Sequence, residues 1–338
     1  MIRAVTHLVD DASFGGINRM LDYMASSPSL GCHHQHRIER VSRGQLSLSG
    51  LTTDIIVSHL SISWANLPLL TALRAIYPNH PIIHVEHSYC ERFVAAKVSN
   101  RMRFETLLRI SYSLFDQIVA VSEAQGAWMR RRGYCAGQHL EVLSPCVDLS
   151  SFFALPDRPT RQSVTLGAIG RFDEQKGFDI LIDAFVGSQR KDLRLDLFGD
   201  GPERQRLMDK AADHPRIAFH GYLADTSKAV AQCDIIAMPS RWEPYGLVAL
   251  EAMAAGRPVL CSRADGLNDH ILNKATDIGE NSVESWTAFL DAMNIVDLAE
   301  TGRSLRRTAE LSEARFLLGW NELLWNAVGA DADRALAA

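Results

Sequence analysis

Short β-branched runs alternate with longer helical stretches along most of this chain, and no other feature constrains its fold as strongly. Residues 2–9, 54–59, 81–87 and 117–122 read as strands, with 141–143 as a weaker one, and helical stretches such as 16–25 and 98–115 lie between most of them. A second series starts at Val164–Ile169 and runs through strands at 194–198, 216–219, 234–238 and 258–261. Its helices fall near 177–187, 202–212, 224–232 and 247–255. Strands separated by helices build parallel sheets covered on both faces. Two such series in 338 residues predict two α/β domains, divided within residues 151–163, "SFFALPDRPTRQS", where two prolines interrupt the periodicity.

Composition narrows the setting. Apolar content of 47% and charged content of 22% are those of a globular chain. No apolar run approaches the roughly 18 residues of a membrane span, and the N-terminus lacks a signal-peptide pattern. The six cysteines are scattered with no Cys-x-x-Cys spacing, which points to reduced thiols in the cytoplasm rather than disulfides or zinc. Residues 1–155 hold 14 Lys/Arg against 12 Asp/Glu, so the overall net charge of −5 arises further on. Much of the N-terminal positive charge falls at Lys97, Arg101, Arg103 and Arg109 and at Arg130, Arg131 and Arg132. Without interleaved aromatics this is no nucleic-acid surface. It reads either as solvated helix faces or as a basic face for anionic lipid or a polyanionic acceptor. "CHHQHR", from Cys32 to Arg37, looks like a metal cluster, but it has no partner cluster and sits in a loop or early strand.

In open parallel sheets the chemistry lies in the loops after the strands. The first strand leads to Gly15-Gly16 before a helix, where the backbone can approach an anion or simply turn. The strand Val164–Ile169 leads to "GRFDEQKGF", in which Arg171 and Lys176 either suit a diphosphate or are loop charges in solvent. "LFGDGP" is another glycine-rich turn, yet there is no G-x-G-x-x-G and no P-loop. The strand at 234–238 leads to "PSRWEPYG" and then to a helix from about Leu247 that is apolar on every side but for Glu251. A buried glutamate needs a partner. An ion pair would serve, and so would two hydroxyls of a ligand, because an ionised carboxylate only accepts hydrogen bonds. Glu243, in the loop, can face the same ligand from nearer the strand end.

"GRFDEQKG", "LFGDGPE", "FHGYL" and "MPSRWEPYGLVALEAMAAGRPV", in this order, resemble the C-terminal landmarks of the family-4 retaining glycosyltransferases. "FGGINR", "HVEHS", "FDQIVAVSEAQGAWM" and "VDLSSF" are similar to the family's weaker N-terminal ones, and the likeness covers most of residues 10–272. It implies the GT-B fold, two Rossmann-like parallel-sheet domains facing across a cleft. On that pattern residues 1–154 form the acceptor side and 155–315 the donor side. Residues 316–338, with "FLLGWNELLW", form a helix crossing back to the first domain. The resemblance implies that Glu251 holds the ribose of a nucleotide-sugar donor and Glu243 the transferred sugar. The backbone at Tyr245, Gly246 and Leu247 would reach the sugar and its distal phosphate. Arg171 and Lys176 would neutralise the diphosphate, Gly15 and Gly16 would approach it from the other domain, and His87 would lie beside the reacting sugar. His84 falls three residues away, so on a regular strand it faces the opposite side, as a core histidine.

The chain departs from the family at "SPCVD", with Pro145 and Cys146, and at "DGLND", with Asp265 for the first glycine of a Gly-Gly-Ile-Pro-Glu turn and Asp269 for its glutamate. The implied reaction is retaining transfer to an acceptor hydroxyl in polysaccharide, glycolipid or glycoconjugate synthesis. Catalysis would involve Glu243, His87, Arg171 and Lys176. The expectation is a cytoplasmic enzyme with no cofactor and no metal; Asp-x-Asp occurs only as Asp331-Ala-Asp333. The Lys97 to Arg109 face would allow peripheral membrane contact. A sugar-nucleotide epimerase of the same fold and an inactive sugar-nucleotide-binding protein are the alternatives.

Overall fold

The structure, a computed structural model, describes residues 2–10, 15–42, 44–157 and 163–336, with side chains to residue 327. The chain divides into two compact units, Met1–Asp148 with Glu313–Ala338, and Leu149–Ser312. Residues 158–162 of the expected linker lie outside the described residues, and its first part is instead a short helix, Ser150–Phe153.

The N-terminal unit holds β1 (Arg3–Val9), β2 (His34–Arg40), β3 (Ile55–Ser58), β4 (Ile82–Glu86), β5 (Gln117–Ala120) and β6 (Leu140–Val142). They form one parallel sheet in the order β2-β1-β3-β4-β5-β6. β3 and β4 are buried at every position, as strands covered on both faces must be. Leu8, Ile56, Ile82 and Ile118 pack with Leu69, Leu70, Leu73, Leu107 and Leu108 from the helices. β2 covers most of the segment expected as loop or early strand, and its "HQHRIER" carries a single aliphatic residue. It is the edge strand, and edges tolerate polar sequence. The helix expected over 98–115 is Arg101–Tyr112, and a separate helix, Glu91–Lys97, precedes it. Asn100 sets the start of the later one by capping it, its side-chain oxygen accepting from the Arg103 amide at 3.0 Å.

The C-terminal unit holds β7 (Val164–Ile169), β8 (Leu193–Phe198), β9 (Ile217–Phe219), β10 (Ile235–Met238), β11 (Val259–Cys261) and β12 (Thr276–Asp277). They too form a parallel sheet, in the order β12-β11-β10-β7-β8-β9. Leu166, Ala168, Leu195, Leu197, Ile235 and Ala237 make its core with Phe178, Leu181, Ile182, Phe185, Trp286 and Leu290. The tail is one long helix, Ile295–Leu336, whose residues from Glu313 belong with the N-terminal unit, where Phe316, Trp320 and Leu324 are buried.

Each sheet reverses its strand order once, between β1 and β3 in one unit and between β7 and β10 in the other. A ligand crevice opens at such a reversal, outside the carboxyl ends of the strands.

Candidate functional site

In the C-terminal unit the loops after β7 and β10 are locked together. Gly177 has φ +64°, and a Cβ there would lie 2.0 Å from the Pro239 carbonyl oxygen, so only glycine lets the two loops touch. Arg241 fixes the same contact. Its guanidinium donates to both carboxylate oxygens of Asp179 at 2.8 Å, and its amide donates to the Gln175 carbonyl at 2.7 Å. Burial pushes the Asp179 carboxyl up, but the hydrogen bonds and charge of Arg241 outweigh it and hold it below the usual carboxylate range.

This frame brings Lys176 and Glu243 together, 67 positions apart in sequence. Lys176 Nζ donates to Glu243 Oε2 at 2.6 Å, and the Ser240 hydroxyl donates to the same oxygen at 3.1 Å. The Lys176 side chain is 17% exposed and that of Glu243 9%, so the pair is sheltered but reachable. Asp173 caps the turn Glu174–Lys176 that carries the lysine. Arg171 has a different partner: it pairs with Asp173, and its side chain is 70% exposed. The cationic groups of Arg171 and Lys176 therefore leave β7 in one loop but pair with different carboxylates.

The helix after β10, Leu247–Ala254, begins at Gly246, which sits at φ +98° and, being glycine, offers the first-turn amides no side-chain cap. Glu251 is wholly buried on this helix, one turn after Leu247 and so on its face. Tyr245 is held from behind by His270, a residue that sequence reasoning missed. The His270 ring lies 4.6 Å from the Tyr245 ring, and its Nε2–H donates to the Tyr245 carbonyl at 3.2 Å. Burial lowers the His270 pKa to about 4, so the ring is neutral. Asp265 takes a left-handed conformation, φ +43°, that suits the glycine it stands in for. Asp269 is buried in the first turn of Leu267–Leu272.

In the N-terminal unit, Gly15 is extended and precedes the helix Gly16–Ser26, so both glycines stand where β1 feeds its helix. His87 follows β4 and lines a cavity of about 200 Å³ with Asp10, Ile17, His59, Ser61 and Ser88. Glu86 shapes the turn that presents it, accepting from the amides of Ser88 at 2.7 Å and Tyr89 at 3.0 Å and from the Tyr112 hydroxyl at 2.8 Å. His84 is a core residue, stacked 4.8 Å from Phe115. Sequence reasoning missed His59 and His7, which stand in line behind His87 with hydrogen bonds of 2.8 and 3.0 Å.

Of the basic face, Arg109 pairs with Glu105 and lies over Tyr134, and Arg103 lies over Trp64. Met102 beside it is 81% exposed. Among the described residues no helix is long and apolar enough to cross a membrane, and no three His, Cys, Asp or Glu are placed to hold a metal ion. Asp331 and Asp333 lie beyond the described side chains.

Two family models match the chain, "Glycosyltransferase Family 4" over residues 26–151 and "Glycosyl transferases group 1" over 163–295. A glycogen synthase of Mycobacterium tuberculosis is 33% identical over 235 residues, which is 67% of this chain and 54% of that protein. The lipopolysaccharide core biosynthesis glycosyltransferase LpsE of Rhizobium meliloti is 39% identical over 113 residues, 32% of each chain. The chain thus spans about a third to a half of the length of these relatives. Among solved structures, the sucrose-phosphate synthase of Thermosynechococcus elongatus superposes with a TM-score of 0.75 at 18% identity, covering 97% of this chain and 100% of that one. HepE of Anabaena, crystallised with UDP and glucose, superposes with a TM-score of 0.73 at 15% identity over the same shares. At these identities the two structures speak to the fold.

Proposed function

Since this chain belongs to the group 1 and family 4 glycosyltransferases, with their GT-B fold, we propose that it moves a sugar from a nucleoside-diphosphate sugar to an acceptor hydroxyl with retention of anomeric configuration. The observation that carries this reading is the Lys176–Glu243 pair, sheltered at the strand reversal of the C-terminal sheet. The first-turn amides at Gly246–Leu247 and the buried Glu251 belong to the loop and helix that follow β10. A sheltered ammonium and helix-start amides without a side-chain cap suit a diphosphate, and a buried carboxylate suits a ribose diol.

The departing nucleotide gains negative charge as the bond from the sugar C1 to the phosphate oxygen breaks. Lys176, shifting from Glu243 to the diphosphate, and the helix N-terminus stabilise that charge as it develops, with Arg171 adding charge from the exposed side of the loop. Glu243, released from Lys176, accepts hydrogen bonds from the hydroxyls of the transferred sugar. Attack comes from the face the nucleotide leaves, with the leaving phosphate taking the acceptor proton. These groups supply the charge stabilisation from side chains and amides, so turnover should survive EDTA. HepE has been crystallised with UDP-glucose, which makes UDP-sugars the first donors to try. Lys97, Arg101 and Arg103, with exposed Met102 and Trp64, form a face suited to anionic lipid and hence to a lipid-linked acceptor.

The test is release of nucleoside diphosphate from a panel of nucleotide sugars, with and without candidate acceptors. Acceptor-dependent release and an axial-for-axial product by NMR support the reading. An epimerised nucleotide sugar formed without acceptor would overturn it in favour of epimerase chemistry, and binding without turnover on any acceptor would favour an inactive binding protein.

A further inference from the structure

Four histidines from four adjacent strands of the N-terminal sheet form one hydrogen-bonded file. His36 lies on β2, His7 on β1, His59 just after β3 and His87 just after β4. His36 Nδ1 is 2.9 Å from His7 Nε2, His7 Nδ1 is 3.0 Å from His59 Nε2, and His59 Nδ1 is 2.8 Å from His87 Nε2. Successive rings are stacked at 5.1–5.2 Å and tilted by 25–27°. Every ring points its Nδ1 toward the His87 end.

Burial lowers the pKa of all four rings, to about 4 for His36 and His87, and neighbouring histidines lower those of His36, His7 and His59 further. At neutral pH each ring is therefore neutral, with one N–H and one lone pair. Three bonds in the same sense then admit only two arrangements. Either every ring carries its proton on Nδ1 and donates toward His87, or every ring carries it on Nε2 and donates toward His36. The choice at one end sets the other.

The His36 end makes the choice. His36 Nε2 is buried and has no hydrogen-bond partner among the described residues. A proton there would be an orphaned buried N–H, which folded proteins seldom tolerate, whereas a bare lone pair loses less. Trp320 meets His7 edge-on and so adds no competing acceptor. His34, facing His36 at 6.2 Å, has a lowered pKa itself and brings no charge at neutral pH.

We propose that His36, His7 and His59 are positioning residues that hold His87 in the Nδ1–H tautomer, so that it donates a hydrogen bond into its cavity, to a hydroxyl oxygen of a bound sugar. The sugar as acceptor rests on the nucleotide-sugar reading above; the tautomer does not. Free imidazole favours the other tautomer, so the file imposes on His87 a state it would not otherwise prefer.

The experiment is NMR of full-length protein labelled with 15N-histidine, run beside a donor-saturated turnover assay. Variants are His7→Phe, which keeps the ring but cuts the file, and His36→Leu and His36→Asn at the partly exposed edge. Asparagine can occupy the position of Nδ1 and keep the bond to His7. The expected result is a single Nδ1–H tautomer at His87 in the native protein. It should be lost to a mixture in His7→Phe and His36→Leu and restored in His36→Asn, with kcat falling about tenfold on loss and the KM for donor changing less. If His7→Phe does not fold, the two His36 variants decide alone. An Nε2–H or mixed His87 in the native protein, or a His87 tautomer indifferent to both cuts, overturns the proposal. A tautomer that follows the file in a protein with no glycosyl transfer would leave the file standing and remove the nucleotide-sugar reading instead.

Discussion

Both sheets are parallel, six-stranded and reverse their strand order once, yet they put opposite chemistry beside that reversal. At the reversal of the C-terminal sheet stands a charged pair, Lys176 and Glu243, braced by the ion pair of Arg241 and Asp179. Beside the reversal of the N-terminal sheet stand neutral rings, His7, His59 and His87, bonded in file. A parallel sheet provides a crevice but not its polarity; the side chains in the loops decide whether that crevice stabilises charge or orders neutral hydroxyls. Diphosphate chemistry suits the first and sugar recognition the second.

Four changes probe this contrast, and the largest effect belongs to the charged side. Lys176→Ala should lower kcat by about 100-fold or more, since one donor to a developing anion is worth ~3 kcal/mol. Near-native turnover at saturating donor would take the lysine out of the mechanism. Glu251→Gln keeps the shape but weakens hydrogen bonds that a charged acceptor makes ~1.5–3 kcal/mol strong. The KM for donor should therefore rise about 10- to 100-fold while kcat moves less, and an unchanged KM would return Glu251 to a structural role. Gly177→Ala forces a Cβ against Pro239 and a side chain into φ +64°. It should destabilise the C-terminal unit by at least ~1–3 kcal/mol in denaturant titration, and native stability would mean that the two loops are not locked.

The neutral side answers to pH. His36 and His87 titrate at about 4 in the fold, against about 6.5 in the unfolded chain, and His7 and His59 are lowered as well. Between pH 6.5 and 4 the unfolded chain binds more protons, so stability is full above the unfolded value and falls as pH drops through this window. Asp179, also lowered, adds a loss in the same direction as pH falls through the carboxylate range. The melting temperature should fall from pH 6.5 to 4, and less steeply in His7→Phe, which lacks one of the four rings. A flat profile would mean that the rings are solvated.

Much of this architecture was legible because buried parallel strands are apolar runs. β7, β10 and β11 stand where β-branched residues fall, β8 stands where leucines alternate, and Glu251 is conspicuous because nothing else on its helix is charged. β2 was hidden by its polar edge sequence, and β12 by being two residues long. The candidate residues could be named from motifs, but their pairing could not. Lys176 meets Glu243 across 67 positions, and the file joins His7 to His36, His59 and His87 from separate strands. Sequence distance carries no trace of such contacts; the strand order creates them. Arg171 shows the converse, since its place in the motif suggested a partner to Lys176 while the fold gives it Asp173 and solvent.

Calorimetric titration of nucleoside diphosphates and their sugars into the native protein, Lys176→Ala and Glu251→Gln tests the central claim most directly. We expect at least one nucleoside diphosphate to bind the native protein and to raise its stability by ~2.7 kcal/mol at 100 times the Kd. Its affinity should drop at least tenfold in each variant. No binding by any member of the panel, or equal affinity in all three proteins, would contradict the assignment of the β7–β10 crevice as a nucleotide-sugar site.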